Sequence, residues 1–402
     1  MKPQPTVASR AQVPAFQVMD ILQRVAELRA QGRDVVSLCA GEPSGGAPTA
    51  VSERAEAIHA SRTPLTYTPA LGLAVLRTAI AEHYRSWYGL EVNAHNVAVT
   101  TGSSGAFMLT FLSAFNAGDR VALARPGYPA YRNILRALGV DVVEVDCGPG
   151  SRYQPTPALL DAAEREHGPL SGLVLASPAN PTGTMVSRPE LAALSAWCAE
   201  RGARLVSDEI YHGITYADAG TQDARGVCAW ELDRSAVVIS SFSKYWGMTG
   251  WRLGWAIVPD DLVSTVDALA GNVALCPPAP AQYAAIEAFG EGAYAEAEAF
   301  VAEFAATRAA LLANLERLGW GDAAPADGAF YLYADLGAAL EGFEDSTAYC
   351  AALLESEGVA LVPGADFDAV GGRRAVRLSF AAGQKAVLEA VERIVRFQER
   401  RR

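Results

Sequence analysis

Between residues 97 and 259 the chain alternates short runs of β-branched and apolar residues with longer stretches of helical spacing. Parallel strands need a crossover connection, usually a helix, so this alternation predicts a mainly parallel sheet covered by helices on both faces. Seven runs predict seven strands, at residues 97–101, 120–124, 141–145, 172–177, 204–208, 236–240 and 254–258. Because ligands of such sheets bind beyond the carboxyl ends of the strands, functional residues are expected in the loops that follow these runs.

The last part of the chain has a different pattern. An alanine-rich stretch predicts a long helix at 293–318, and extended segments follow at 328–334, 359–364 and 375–380 before a final helix. Strands and helices that do not alternate regularly are typical of an α+β domain. The sequence therefore predicts an α/β fold, with a large domain built on the seven-stranded sheet and a second, smaller α+β domain.

Composition argues against several classes of protein. Half of the 402 residues are hydrophobic and 19% are charged, so the chain can bury a large core and is not expected to be disordered. The formal net charge of −12 argues against nucleic-acid binding. No uncharged apolar run approaches the ~20 residues that span a bilayer. We therefore expect neither a nucleic-acid partner nor a membrane partner.

Cysteine spacing and the first residues predict a cytoplasmic protein. The six cysteines lie far apart without a Cys-x-x-Cys pair. This spacing favours free core thiols in a reducing compartment over a metal site or a disulfide framework. Residues 1–13 form a polar, proline-containing arm that lacks the apolar core of a signal peptide.

Lysine is scarce in this chain, and one lysine has unusual neighbours. Only three of the 33 basic residues are lysines, namely Lys2, Lys244 and Lys385. Lys244 follows the apolar run 236–239 and lies among aromatic residues. An amine can lose its proton and form a Schiff base, as a guanidinium cannot, and desolvation shifts its pKa in the required direction. The alternative is an ordinary surface lysine that keeps its ammonium group in water.

Hydroxyl groups precede Lys244 and an arginine follows it. Ser241 and Ser243 flank the lysine, and Arg252 lies behind two glycines that allow a tight turn. Two hydroxyls and a guanidinium near a reactive amine suit a phosphate held beside an aldehyde, as in pyridoxal phosphate. The pattern Ser-x-Ser-Lys-x-x-Gly-x-x-Gly-x-Arg-x-Gly-Trp resembles the lysine signature of class I aminotransferases of the aspartate aminotransferase fold type.

The resemblance covers nearly the whole chain and implies the fold and the cofactor of that family, pyridoxal 5′-phosphate. In the family, the N-terminal segment and the C-terminal part build the small domain together. The implied division is an N-terminal arm, a first part of the small domain, a large cofactor-binding domain and the rest of the small domain. These parts correspond to residues 1–13, 14–47, 48–288 and 289–402.

By resemblance, the ends of three strands carry contacts to the cofactor. The small residues 101–106 include Ser103 and Ser104, and they form a phosphate cradle before a helix that we expect to open at Phe107. Tyr128 would stack on the pyridine ring, although a rigid Pro-Gly turn with a packed tyrosine is the alternative. Asn180, in an Asn-Pro-Thr-Gly segment, would donate to the 3-oxygen of the cofactor and to the substrate carboxylate.

The acidic pair at the end of the fifth predicted strand supplies a further contact. An acid that follows the apolar Leu205-Val206 is costly to bury unpaired, and a protonated pyridine nitrogen would be its partner. The resemblance gives this role to Asp208 and gives Tyr211 a hydrogen bond to the 3-oxygen. Strand alternation turns Glu209 to the other face. We therefore predict that Lys244, Asp208 and Tyr211 are catalytic.

The resemblance also implies substrate contacts and a shared site. Gly41, in a Gly-Glu-Pro turn, would approach the substrate carboxylate with its amide, and Arg377 would clamp that carboxylate with two hydrogen bonds. By themselves these residues could be a plain turn and an exposed strand arginine. Tyr67 precedes a proline turn, and by itself it would be interpreted as a structural residue. The resemblance instead implies that Tyr67 contacts the cofactor phosphate of a neighbouring subunit. A homodimer with shared active sites follows.

The predicted function is amino-group transfer between an L-amino acid and a 2-oxo acid, either 2-oxoglutarate or pyruvate. A pyridoxal phosphate-dependent lyase acting at Cβ is an alternative of the same fold, and a cofactor-binding regulator would need a DNA-binding module that we do not expect. Ser104 aligns with a lysine that contacts the distal carboxylate in one bacterial aspartate-specific group. One support for a dicarboxylic substrate is therefore missing, and aspartate, alanine, valine and aromatic amino acids all stay candidate donors.

Overall fold

The computed structural model describes residues 6–216 and 224–401. The first strand of the chain pairs with a strand of the C-terminal part. Helix α1 (Gln17–Ala30) is followed by the short strand β1 (Val36–Ser37). Helices α2 (Thr49–Ser61) and α3 (Ala74–Tyr88) lead to the central sheet. Lys2, in the predicted arm, lies outside the described residues.

The central sheet has seven strands, and each of their ends falls within one residue of the predicted end. They are β2 (Val97–Thr100), β3 (Arg120–Arg125), β4 (Asp141–Asp146), β5 (Gly172–Ala176), β6 (Arg204–Asp208), β7 (Val237–Ser241) and β8 (Gly254–Ile257). Their order in the sheet is β2-β8-β7-β6-β5-β3-β4. Strand β8 runs antiparallel to both of its neighbours, β2 and β7, and the other four pairs of neighbouring strands in this sheet are parallel. The predicted mainly parallel sheet is confirmed.

A hydrophobic core lies on each face of this sheet. On β5, Leu173 and Leu175 pack into one core and Val174 packs into the other, because successive side chains of a strand point to opposite faces. Three helices pack into each of these two cores. They are α4 (Gly102–Ala114), α5 (Pro129–Ala137) and α9 (Asp260–Val273) on one face and α6 (Pro157–His167), α7 (Arg188–Arg201) and α8 (Ala229–Leu232) on the other.

The C-terminal part forms a smaller α+β region around two further sheets. Its elements are α10 (Ala279–Ala285), α11 (Glu291–Leu312), α12 (Leu315–Leu318), β9 (Tyr331–Asp335), α13 (Ser346–Glu357), β10 (Val359–Ala360), β11 (Val362–Pro363), β12 (Ala375–Ser379) and α14 (Gln384–Glu399). Strands β11, β12 and β9 form an antiparallel sheet in that order, and β1 pairs with β10 in parallel. The predicted fold class is confirmed, whereas the exact domain boundaries stay predictions. Across the two described ranges, no helix is both long enough and apolar enough to cross a membrane.

Two predicted helix boundaries are wrong. The helix expected to open at Phe107 begins at Gly102, because Gly102 has φ +67° and turns the chain directly from β2 into α4. The helix expected over 293–318 breaks after Leu312. Asn314 donates its side-chain amide to the Ala310 carbonyl oxygen at 2.8 Å, and such local bonds compete with the backbone bonds of a helix.

Candidate active site

A cavity of about 330 Å³ lies at the carboxyl ends of the central strands, and both parts of the chain line it. The large sheet contributes the loops after β2, β3, β5, β6 and β7, whereas the smaller region contributes β12, Tyr331 and the segment after β1. Eleven of the residues predicted from the sequence line this cavity. They are Gly41, Ser103, Ser104, Tyr128, Asn180, Asp208, Tyr211, Ser243, Lys244, Arg252 and Arg377.

Lys244 lies just after β7, and its amine contacts the segment that follows β1. Its Nζ donates to the Gly41 carbonyl oxygen at 2.6 Å, and it lies 5.9 Å from the centre of the Tyr211 ring. Burial lowers the pKa of Lys244 to about 8, although the negative charges of Glu42 and Asp208 oppose this shift. A substantial share of the amine is therefore neutral in weakly alkaline solution. The carbonyl of Gly41, and not its amide, makes the contact that the structure shows.

Asp208 ends β6 and is buried, with 3% of its surface exposed. The Tyr131 hydroxyl donates to its Oδ2, and the Ile210 amide donates to its Oδ1 at 3.1 Å. Burial raises the pKa of Asp208 to about 6, whereas these two hydrogen bonds and the charge of Lys244 lower it. The carboxylate therefore stays mostly ionised at about pH 7, ready for a cationic partner in the cavity.

Glu209 points away from the cavity, as strand alternation predicted. Its carboxylate accepts from the Ala229 amide at 2.7 Å and from the Ser207 hydroxyl at 3.1 Å. Burial raises the pKa of Glu209 to about 8. Of the two adjacent acids, only Asp208 can reach a ligand in the cavity.

A further group of residues in the cavity lining suits an anion. The first turn of α4 presents Ser103 and Ser104, and a helix N-terminus with free amides attracts negative charge. Arg252 packs so closely against Gly102 that a Cβ at Gly102 would overlap the guanidinium Nη2. Amides, a hydroxyl from Ser243 and a guanidinium therefore converge on one place, which fits a phosphate group.

Ser241 does not line the cavity, in contrast to its predicted contact with the cofactor. It is 1% exposed, and its Oγ lies 2.8 Å from the Ser243 Oγ and accepts from the Ser243 amide at 3.0 Å. The Leu253 carbonyl oxygen lies 3.0 Å from the same hydroxyl. Ser241 thus supports Ser243, which itself faces the cavity.

Arg377 comes from β12 and holds a fixed position beside Asn180. Its Nη1 donates to the Asn180 Oδ1 at 3.0 Å, and its Nη2 donates to the Cys39 carbonyl oxygen at 2.6 Å. The rings of Tyr331 and Phe367 lie 4.7 Å and 4.9 Å from the guanidinium carbon. Its Nε is buried without a hydrogen-bond partner. A buried donor of this kind fits an incoming carboxylate.

Sequence reasoning missed two tyrosines of this site. The Tyr331 hydroxyl lies 2.8 Å from the Tyr211 hydroxyl, and a Cβ at Gly41 would lie 3.1 Å from it. Tyr131 reaches Asp208 from α5. A local signal for Tyr131 exists, since it follows Tyr128, the N-cap residue of α5, by only three positions, and the two rings lie 5.4 Å apart. Tyr331 has no comparable local signal.

Of the predicted site residues Tyr128 and Tyr67, the first lies at the cavity and the second does not. Tyr128 lines the cavity, and its ring is stacked on Phe16 with a centroid distance of 6.2 Å. Tyr67 is 80% exposed and does not line the cavity of its own chain. Its predicted contact with a neighbouring subunit stays a prediction.

A lysine amine with a lowered pKa, a buried carboxylate, an anion cradle and a fixed guanidinium meet at the strand ends of an α/β sheet. This combination defines the class of pyridoxal phosphate-dependent enzymes built on such a fold. The chain belongs to the aminotransferase class I and II family, whose model matches residues 33–394. It is therefore a pyridoxal phosphate-dependent aminotransferase, which confirms the predicted reaction and cofactor and disfavours the lyase alternative.

Relatives of known function and structure agree with this assignment. The chain is 49% identical to a valine–pyruvate aminotransferase of Mycobacterium tuberculosis, over 96% of this chain and 97% of the relative. It is 33% identical to an aspartate aminotransferase of Bacillus subtilis, over 94% and 95%. A crystal structure of an aminotransferase from Mycobacterium tuberculosis superposes with a TM-score of 0.94 at 48% identity, covering 99% of this chain and all of the other. Aspartate aminotransferase from Thermus thermophilus gives 0.89 at 31% identity, with 98% of this chain and all of the other covered.

Proposed function

We propose that this aminotransferase takes the amino group from an amino acid with an apolar side chain, such as valine, and passes it to pyruvate. The observation that carries the proposal is the lining of the cavity. Val18 and Leu22 of α1 and Ile134 of α5 contribute an apolar wall. The name of the Mycobacterium tuberculosis relative, a valine–pyruvate aminotransferase, supports the same substrates.

The distribution of charge in the cavity supports a donor with one carboxylate. Within the described residues, the basic side chains that line the cavity are Lys244, Arg252 and Arg377. The amine of Lys244 is needed for the reaction, Arg252 lies at the anion cradle, and Arg377 is placed for the α-carboxylate. A second carboxylate of the donor would lack a cation from this chain, and burying it unpaired is costly.

Different residues around the cavity would bind different parts of the cofactor. Asp208 would bind the ring nitrogen, Tyr128 would lie against the ring, and Ser243, Arg252 and the first turn of α4 would hold the phosphate. The remaining contacts, implied by the family resemblance, are those of Asn180 and Tyr211 with the 3-oxygen. When bound, pyridoxal phosphate supplies an electron sink that lets the Cα proton of the amino acid leave.

The chain itself supplies proton transfer and orientation. Arg377 binds the α-carboxylate and so fixes the amino acid with its Cα beside the cofactor site. The Nζ of Lys244 accepts the Cα proton, because its lowered pKa leaves a share of the amine neutral. Asp208 holds a proton on the ring nitrogen by remaining ionised itself.

A panel of donors tests the proposed substrates. We expect valine and alanine to give oxo acid in single-turnover reactions, with kcat/KM for aspartate lower by roughly a hundredfold because its second carboxylate lacks a partner. Pyruvate should regenerate the enzyme faster than 2-oxoglutarate, measured by chromatography of the amino acid formed. As a matched variant, Ile134→Ala should raise the rate for phenylalanine relative to valine. If aspartate reacts as fast as valine, the proposal is wrong.

We also propose that the active form is a homodimer with shared sites. About 80% of the Tyr67 surface is exposed to solvent. Three apolar residues, Val75, Val273 and Leu275, each expose about half of their surface. Gln282 accepts from the Leu73 amide at 2.8 Å and donates to the Thr68 hydroxyl at 3.0 Å. These bonds join the segment of Tyr67 and Val75 to the region near Leu275. An exposed apolar surface of this kind suits a second copy of the chain.

Mixing two impaired variants tests the shared site. Tyr67→Phe should lower the affinity for pyridoxal phosphate by roughly tenfold, because one hydrogen bond to a charged phosphate is lost. Combining Tyr67→Phe with Lys244→Ala subunits should restore part of the activity, since one hybrid site has both original groups. Tyr153→Phe serves as the control, because Tyr153 does not line the cavity. Unchanged cofactor affinity in Tyr67→Phe would show that Tyr67 has no such role.

A cytoplasmic location is proposed on the basis of the thiols. All six cysteines lie in the described residues and are free, and five of them are buried. Burial raises the pKa of the Cys39 and Cys147 thiols to about 12, so these groups stay protonated. Unreacted buried thiols are typical of a reducing compartment.

A further inference from the structure

Asp208 receives one hydrogen bond on each carboxylate oxygen, and one of the two donors is a side chain. The Ile210 amide belongs to the same turn, whereas the Tyr131 hydroxyl comes from α5, on a different part of the chain. We propose that Tyr131 is a positioning residue for the reaction, which orients the Asp208 carboxylate toward the cofactor ring nitrogen and keeps it ionised. This inference rests on the proposed role of Asp208.

The packing of Tyr131 supports a directed contact. The residue is 6% exposed, and its ring lies 4.9 Å from the Phe107 ring and 5.4 Å from the Tyr128 ring, nearly perpendicular to the latter. The ring is therefore held between α4 and the start of α5, with the hydroxyl aimed at the end of β6. Tyr128, the N-cap residue of α5, would lie toward the ring face of the cofactor, whereas Tyr131, in the first turn of α5, bonds to the acid that would bind the ring nitrogen.

The charge balance around Asp208 explains why this hydroxyl matters. Burial favours the protonated form of Asp208. The next residue, Glu209, is also a buried acid, and the charge of Asp208 raises the pKa of Glu209. The ionisable groups that face Asp208 from the surrounding elements are Lys244, which favours its ionised form, and Tyr128, Tyr131 and Tyr211. A hydrogen bond donated to the carboxylate stabilises the ionised form, so loss of the Tyr131 hydroxyl raises the pKa of Asp208 above its value of about 6. A larger share of Asp208 is then protonated at about pH 7 and cannot hold a proton on the ring nitrogen.

The test compares Tyr131→Phe with the original protein, using binding of pyridoxal phosphate as a readout that does not depend on turnover. In the original protein, affinity should fall as the pH drops below about 6. In Tyr131→Phe this fall should begin at higher pH, by about one pH unit, and the single-turnover rate with valine at about pH 7 should drop roughly tenfold. The KM for valine should stay nearly constant, because Arg377 is not affected. Tyr349→Phe is the matched control, since it also removes a buried hydroxyl that takes part in a hydrogen bond, here accepted from the Gln398 side-chain amide, and Tyr349 does not line the cavity.

A double-mutant comparison separates action through Asp208 from general loss of packing. If Tyr131 acts through Asp208, adding Tyr131→Phe to Asp208→Asn should cost little beyond the Asp208→Asn loss. Additive losses, or a pH midpoint in Tyr131→Phe that equals the midpoint of Tyr349→Phe, would overturn the inference. If Asp208→Asn itself binds cofactor and turns over like the original protein, the role proposed for Asp208 fails. Thermal unfolding of each variant checks that the fold is retained.

Discussion

Replacement of Lys244 by alanine is expected to cause the largest loss of activity of any single substitution in this chain. With the roles proposed for Lys244, the variant would lose both the group that attaches the cofactor and the base that accepts the Cα proton. A positioned proton-transfer group contributes up to about 10⁴-fold, so the single-turnover rate with valine should fall by about that factor. Stopped-flow absorbance and product analysis measure this loss, and the visible absorbance of the bound cofactor should disappear.

The pH dependence of cofactor attachment gives a second readout for the same residue. Because burial lowers the pKa of Lys244 from 10.5 to about 8, the reactive neutral amine accumulates as the pH rises through about 8. The rate of attachment should increase over that range. Lys385, exposed on α14, gives the matched control, and Lys385→Ala should behave like the original protein. Borohydride reduction followed by peptide mapping locates the attached group, and a label on Lys2 or Lys385 would refute the assignment.

Arg377→Ala is expected to cause the second large loss, through binding of the amino acid. Removing one partner of a buried charge pair typically costs 2–5 kcal/mol, so kcat/KM for valine should fall by roughly 10²-fold or more. Cofactor affinity should change little, because the guanidinium bonds to Asn180 and to the Cys39 carbonyl, which are not part of the anion cradle of Ser243, Arg252 and α4. Equilibrium binding of cofactor and steady-state kinetics measure the two effects separately.

Two further variants sharpen this test. Arg377→Lys should recover only a small part of the loss, because an ammonium group cannot form the two parallel hydrogen bonds of a guanidinium. Arg374→Ala is the control, since Arg374 pairs with Asp335 at the surface and does not line the cavity. An unchanged KM for valine in Arg377→Ala would exclude the carboxylate role.

The central sheet could be predicted closely because most of its strands are buried on both faces. Such strands are continuous apolar runs, and the polar residues that end them mark their carboxyl ends. The same alternation distinguished Asp208 from Glu209 without any structural information. Helix ends were harder to predict, because Gly102 and Asn314 change the local backbone in ways that hydrophobic spacing does not record.

The parts of the site that escaped prediction depend on contacts between distant segments. Tyr211 and Tyr331 meet although they are 120 positions apart, and no spacing rule links them. The apolar wall of Val18, Leu22 and Ile134 exists only once α1 and α5 line the same cavity. Ser241 shows a difference that the lysine motif does not reveal, since it is buried and bonded to Ser243 whereas Ser243 lines the cavity, and its predicted contact with the cofactor stays a prediction.

The pairing of β1 with β10 has a consequence for the order in which a newly synthesised chain can become an enzyme. Arg377 bonds to the carbonyl of Cys39, which is 338 positions earlier in the chain. During translation the sheet of β2–β8 can form as soon as its own strands have left the ribosome, because its pairings are completed by residue 257. The segment after β1 must wait for β10 and β12, so the nascent protein can assemble the phosphate cradle before it can recognise an amino acid.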